Sequence, residues 1–253
     1  MILPSLSSDI LSNDKKDSKF SVLYFSFHGL GACPRALLSI GGAQWDNKIQ
    51  SKEDWPQIKG TTPLGTLPIL LETSLSTGET IEIPESGAIE RYLARKFGLL
   101  GDTVREQTLN DVFYAQAVML NTKFAEKVVA FEEIRKKALD QFLETTLPDW
   151  IKLCEKHLAG NGNTGHFVDN KASLTLADIK TAVILDTFLG LESEKVLNPT
   201  ASPGLWKLKE TVDTHPGYAT WRKSEGFKNI DKDTQATAGA IVPFDVSKAH
   251  IFS

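Results

Sequence analysis

The chain has 253 residues, 41% of them hydrophobic and 24% charged, with a formal net charge of -4. That composition excludes a largely disordered chain and supports a sizeable core of one large or two smaller domains. A weakly acidic balance with scattered Lys and Arg lacks the footprint of a nucleic-acid binder, and the run Arg135-Lys136-Lys137 reads as a solvated helix face. Two cysteines, Cys33 and Cys154, are too few to staple a chain of this length. No stretch approaches the roughly 20 apolar residues of a membrane span, and the start has no apolar run behind a basic region. A cytoplasmic protein with no membrane partner is the expectation.

Residues 1–18 are polar and predict a mobile N-terminal extension. Phe20 to Phe27 alternates and is rich in aromatics, the pattern of a strand. Gly29 and Gly31 break it, Pro34 fits the first turn of a following helix, and Gly41-Gly42 ends that helix. Trp45 to Ile49 predicts a second strand, and residues 51–59 a short helix or loop. Leu67 to Glu72 and Thr80 to Ile83 predict a strand pair joined by a Ser-Thr-Gly turn. Glu85 to Phe97 carries Ala88, Ile89, Tyr92 and Leu93 at helical spacing. Beyond Gly101 the apolar spacing is helical, so a domain of residues 19–101 is followed by an all-helical domain of residues 102–253 with a C-terminal tail. Thr175 with Asp178 three residues on reads as a capping box in which Asp replaces Glu. Short helices are predicted over 203–210 and 218–222.

The segment Thr66-Leu67-Pro68, followed by Glu85-Ser86, is the most informative. A Pro at the head of an apolar strand donates no ladder hydrogen bond, which leaves the adjacent backbone open to an extended peptide. Ser86 stands at a helix start, where orphan N–H groups and the dipole favour a carboxylate. Glu85 suits an ammonium. A small zwitterionic peptide satisfies all three.

The stretches "KFSVLYFSFHGLGACPRALL", "PLGTLPILLE" and "ETIEIPESGAIERYLARKFGLLG" resemble the N-terminal domain of cytosolic glutathione transferases of the tyrosine, sigma-like type. The resemblance covers about the first hundred residues well. It implies an α/β plus all-α protein: an N-terminal thioredoxin-like domain followed by an all-helical C-terminal domain. It also implies a cis peptide bond before Pro68, and glutathione as cosubstrate with no metal. Tyr24 is implied as the donor that stabilises the glutathione thiolate. Trp55 and Lys59 are implied at the glycyl end, Thr66 and Leu67 at the cysteinyl backbone, and Glu85 and Ser86 at the γ-glutamyl end. The implied reaction is conjugation of glutathione to small, mostly apolar electrophiles, as in detoxification, by a homodimer. The electrophile would pack against helices around residues 105–130, with Phe113, Tyr114, Val118, Phe124 and Phe131 as candidates.

Rival readings stay open on the sequence. Ser26 competes with Tyr24 and would make a serine-type enzyme. Cys33 beside Pro34 stands at a helix start, which depresses a thiol's pKa, but no second Cys completes a Cys-x-x-Cys spacing. Leu30 stands where relatives often carry an Arg that buttresses the site. The scaffold also hosts glutathione-dependent isomerases and non-catalytic relatives.

Overall fold

The computed structural model describes residues 3, 6, 8–168 and 173–252. The chain divides into two compact units, one of residues 1–98 and 216–234, the other of residues 99–215 and 235–253.

The first unit is built on a four-stranded sheet in the order β2-β1-β3-β4. The strands are β1 (Ser18–Tyr24), β2 (Gln44–Ile49), β3 (Ile69–Ser74) and β4 (Thr80–Pro84). β1 runs parallel to β2 and antiparallel to β3, and β3 runs antiparallel to β4. The parallel pair needs a crossover, supplied by helix α1 (Ala32–Ile40). A short helix α2 (Trp55–Ile58) precedes β3, and α3 (Ser86–Lys96) follows β4. This is the thioredoxin-like arrangement expected from the element order. Phe20, Val22, Leu37, Leu70, Ile81, Ile89 and Leu93 are buried as its core.

A buried polar cluster locks β3 to α3. The Glu72 carboxylate, with no exposed surface, accepts from Ser18 Oγ at 2.7 Å, Tyr92 OH at 2.5 Å and Lys96 Nζ at 2.6 Å. Burial, then the hydrogen bond to Glu72, push the Tyr92 phenol well above its ordinary range.

Two features of the structure bear on the expected domain limits. Over its described residues the N-terminal extension packs on the first unit. Asp9–Ser12 and Lys15–Asp17 form single 3-10 turns, Ile10 is buried, and Lys15 Nζ donates to Gly41 O at 2.6 Å. Residues 1, 2, 4, 5 and 7 lie outside the described residues. The helical half is also not one contiguous block. Helix α9 (Pro216–Arg222) and most of helix α10 (Glu225–Gly239) belong to the first unit. Trp221 packs edge-on against Trp45 of β2 at 4.8 Å, and Gly217 comes so close to α1 that an added Cβ would lie 2.2 Å from Ser39 O. The weak periodicity near residue 234 hid α10, whose apolar anchors Phe227 and Ile230 are few.

The second unit contains α4 (Val104–Phe124), α5 (Arg135–Gln141), α6 (Leu147–Gly160), α7 (Leu176–Leu189) and α8 (Pro203–Asp213). Helix α7 is buried along nearly its whole length. Its start is held as the Thr175 pattern predicts: Asp178 accepts from Thr175 N at 2.8 Å and from Phe167 N at 2.9 Å. No helix of the described residues is long and apolar enough to cross a membrane.

Candidate functional site

The sheet register brings three of the expected residues to one end of the sheet. Leu23 pairs with Ile69, so Tyr24, the last residue of β1, lies beside Pro68. Ile69 pairs with Pro84, so Pro68 in turn lies beside Glu85. Three strand ends therefore line up as Tyr24, Pro68 and Glu85. With strands about 4.8 Å apart, that row spans roughly 10 Å, the reach of a dipeptide backbone plus side chains. The Leu67–Pro68 peptide bond is cis, as the resemblance implies.

Tyr24 is buried, and its hydroxyl oxygen accepts the Leu30 N–H at 3.2 Å. Burial raises the phenol above its ordinary pKa, opposed by the Leu30 hydrogen bond and the Arg35 charge. The group is thus protonated at neutral pH. Because the oxygen already accepts from Leu30, the hydroxyl proton remains to be donated. The glycines of the loop make room for this ring. A Cβ on Gly29 (φ +39°) would lie 2.7 Å from the Tyr24 hydroxyl, and one on Gly31 would lie 2.6 Å from Tyr24 Cδ1.

Arg35 is the residue that sequence reasoning missed. Its guanidinium, 1% exposed, stands 5.7 Å from the Tyr24 ring and donates to Phe27 O at 2.9 Å, Phe25 O at 3.2 Å and Asn47 Oδ1 at 2.8 Å. Burial lowers its pKa to about 10, which still leaves a cation at neutral pH. It buttresses the loop on which Leu30 stands, so a basic buttress is present although Leu30 itself is aliphatic. The signal was an Arg on the first turn of an otherwise apolar helix, an energetically costly choice without fixed partners.

The rivals of Tyr24 are placed differently. Ser26 lies beyond the strand, and its hydroxyl donates to Asp233 of α10. Cys33 is buried in α1, and Cys154 is buried in α6, where burial pushes the thiol up.

Around Tyr24 stand Phe25 and Phe27, stacked at 5.8 Å, with Trp55 edge-on to Phe25 at 5.9 Å. Trp55 is half-buried at the start of α2, and Lys59 begins the 3-10 turn after it. The Lys59 stem passes over Gly65, its Cε 3.6 Å from where a Cβ would sit, next to Thr66. Thr66 is exposed and donates to Glu85 Oε1 at 3.3 Å. Leu67 lies two residues outside the ladder that starts at Ile69. Glu85 is exposed, holds a φ of +71°, and immediately precedes Ser86, the half-buried first residue of α3. A non-glycine residue in that backbone region is uncommon and marks a constrained turn. All eight expected residues therefore belong to the first unit, on the ends of β1 and β4, the segment that leads into β3, and the starts of α2, α3 and the turn after α2.

The expected apolar candidates of the second unit fare less well. Tyr114 and Phe124 are core, with Phe124 against Phe142 and Phe188, and Phe113 stacks on Phe167 at 4.2 Å. Val118 is half-buried, and Phe131 is 57% exposed. Helical periodicity does not distinguish a core side chain from a pocket wall.

Comparison with known proteins identifies the family. Residues 120–225 match the family model "Glutathione S-transferase, C-terminal domain". The chain is 30% identical over 204 residues to the hematopoietic prostaglandin D synthase of Gallus gallus, covering 80% of this chain and 94% of that protein. It is 33% identical to glutathione S-transferase 1 of Ascaris suum over 77% of this chain and 89% of the relative. Among solved structures, prostaglandin synthase D of Nilaparvata lugens superposes with a TM-score of 0.68 at 26% identity, covering 82% of this chain and 98% of that one. The tyrosine at the strand end, the cis-proline turn and these matches together make the chain a member of the cytosolic glutathione transferase family.

Proposed function

We propose that this glutathione transferase lays the tripeptide across the aligned strand ends, with its sulfur at Tyr24. The alignment Tyr24–Pro68–Glu85 is the observation that carries the reading. Glu85 pairs with the γ-glutamyl ammonium, and Ser86 with the α3 N-terminus holds the γ-glutamyl carboxylate. Leu67 pairs its backbone with the cysteinyl unit as an added strand does, and Thr66 supports it. Trp55 and Lys59 take the glycyl carboxylate.

The Tyr24 hydroxyl donates to the cysteinyl sulfur and stabilises its anion, which lowers the thiol pKa from roughly 8.5. The thiolate attacks the electrophilic carbon, a C–S bond forms, and a leaving group departs or a proton is taken up. Phe25 and Phe27 offer an apolar wall beside the sulfur, which suits a mostly apolar electrophile. No step calls for a metal. The enzyme acts in the cytoplasm as a homodimer; light scattering giving twice the 27.9 kDa of one chain checks its assembly.

Glutathione affinity by calorimetry, followed by an electrophile panel with mass analysis of products, tests the reading. Conjugates that contain glutathione support it. Rearranged products with glutathione unconsumed would convert it to an isomerase, and no binding at all would remove it.

A further inference from the structure

The segment Phe25–His28 forms the wall beside Tyr24, and it is gripped from two sides. Arg35 holds the Phe25 and Phe27 carbonyls from within the fold. Helix α10 takes the groups in between. The Asp233 carboxylate accepts the Ser26 hydroxyl, Thr234 Oγ1 accepts the His28 N–H at 2.9 Å, and Asp231 Oδ1 lies 2.7 Å from His28 Nε2. A carboxylate only accepts, so that ring nitrogen carries the proton. Phe227 adds a ring contact to His28 at 4.9 Å. Two residues after His28 comes Leu30, whose N–H reaches the Tyr24 oxygen.

We propose that Asp231, Asp233 and Thr234 of α10 are positioning residues for the catalytic tyrosine. They hold the turn Ser26–His28 in the one conformation that aims the Leu30 N–H at Tyr24 OH. The α10 grip thereby orients the hydroxyl proton toward the thiol without touching the substrate. Ser26 is assigned at the same time: its hydroxyl is engaged by a carboxylate and serves as a tether. The kinetic part of this inference rests on the glutathione reading above; the tether does not.

A helix that merely packed on the loop would need no such matching. Here a hydroxyl, a backbone N–H and a ring N–H, offered by Ser26 and His28, each meet an oxygen of one helix. Arg35 and Lys52 also face this turn, the latter 5.2 Å above the Phe27 ring.

The test uses the full chain with Asp233→Ala and Thr234→Val, singly and together. Asp233→Glu is the conservative rescue. Glu225→Gln, an exposed position on the same helix paired with Lys228, is the control. Hydrogen exchange read over residues 25–31 should rise about tenfold in the double variant, as expected for losing one or two hydrogen bonds. In the same variant kcat should fall roughly tenfold with the KM for glutathione held within about twofold, the signature of a lost transition-state orientation. The pH profile should move upward, Asp233→Glu should recover part of both effects, and the control should match the parent. Unchanged exchange over 25–31 overturns the proposal. So does a loss of kcat that only tracks a fall in melting temperature or in glutathione affinity. If the parent neither binds nor uses glutathione, the transferase reading falls and exchange alone decides the tether.

Discussion

Two glutamates on one hairpin have opposite surroundings. Glu72, in the body of β3, has no exposed surface and three donors from Ser18, Tyr92 and Lys96. Glu85, just past β4, is exposed and has a 3.3 Å contact from Thr66. A buried carboxylate must be matched by protein groups, or its desolvation dominates. An exposed one held in a constrained turn keeps lone pairs for something else. The same side-chain type thus closes the fold at one point and stays open to solvent at the other, and the satisfied lone pairs tell the two apart.

The sharpest break of this contrast is Glu72→Ala. It leaves Lys96 and Tyr92 facing an empty buried site, and stability should fall by about 3–5 kcal/mol, read by denaturant unfolding. Removal of a surface pair would lie below about 1 kcal/mol, so a small loss here would contradict the buried-lock account.

Next comes Tyr24→Phe, which deletes a buried donor and keeps the ring. Losing one preorganised donor should cut turnover near pH 7 by about 10²- to 10³-fold with little change in glutathione affinity. The sign on pH is fixed by the chemistry. Without the donor the bound thiol titrates higher, so the activity profile shifts to higher pH. A profile left in place in the mutant would rule out Tyr24 as the activating group.

Ser86→Ala should weaken glutathione about tenfold or more, because hydrogen bonds to charged groups are worth roughly 1.5–3 kcal/mol. Calorimetry reads this, with a melting curve alongside to separate any effect at the start of α3. The smallest effect belongs to Glu85→Gln. Its exposed ion pair with the ligand ammonium is worth about 0.2–1 kcal/mol, a change of a few-fold that high salt should erase. Its melting temperature should match the parent's, in contrast to the Glu72 variant.

Much of this was legible in the sequence because it rests on local rules. The strand ending before a glycine loop, the proline at the head of β3 and the Glu-Ser helix start each carry their chemistry within a few residues. The preference for Tyr24 over Ser26 came from the family resemblance, through the register of Tyr24 ahead of "GACPRALL", and the structure ties Ser26 to Asp233. What escaped depends on distant partners. Arg35 reads locally as one polar residue in a helix, and its role exists only because the loop folds back over it. Ile10 and Lys15 looked like members of a polar extension, yet they dock on surfaces formed by residues tens of positions away. Asp231 and Asp233 gave no motif, since their partners lie some two hundred residues upstream. In the second unit, Phe113 and Tyr114 shared one helical pattern with surface residues, and only packing could sort them.

The discontinuity of the first unit sets an order of events during synthesis. Residues 1–98 emerge from the ribosome with the Trp45 side chain and the Phe25–His28 turn still without their partners, which lie in residues 216–234. Residues 99–215 must be translated in between. At about 5–20 residues per second, that interval is on the order of ten seconds, long against the folding of a small sheet. For that time the nascent chain presents Trp45 and the aromatic Phe25–His28 turn, a surface suited to a holdase chaperone.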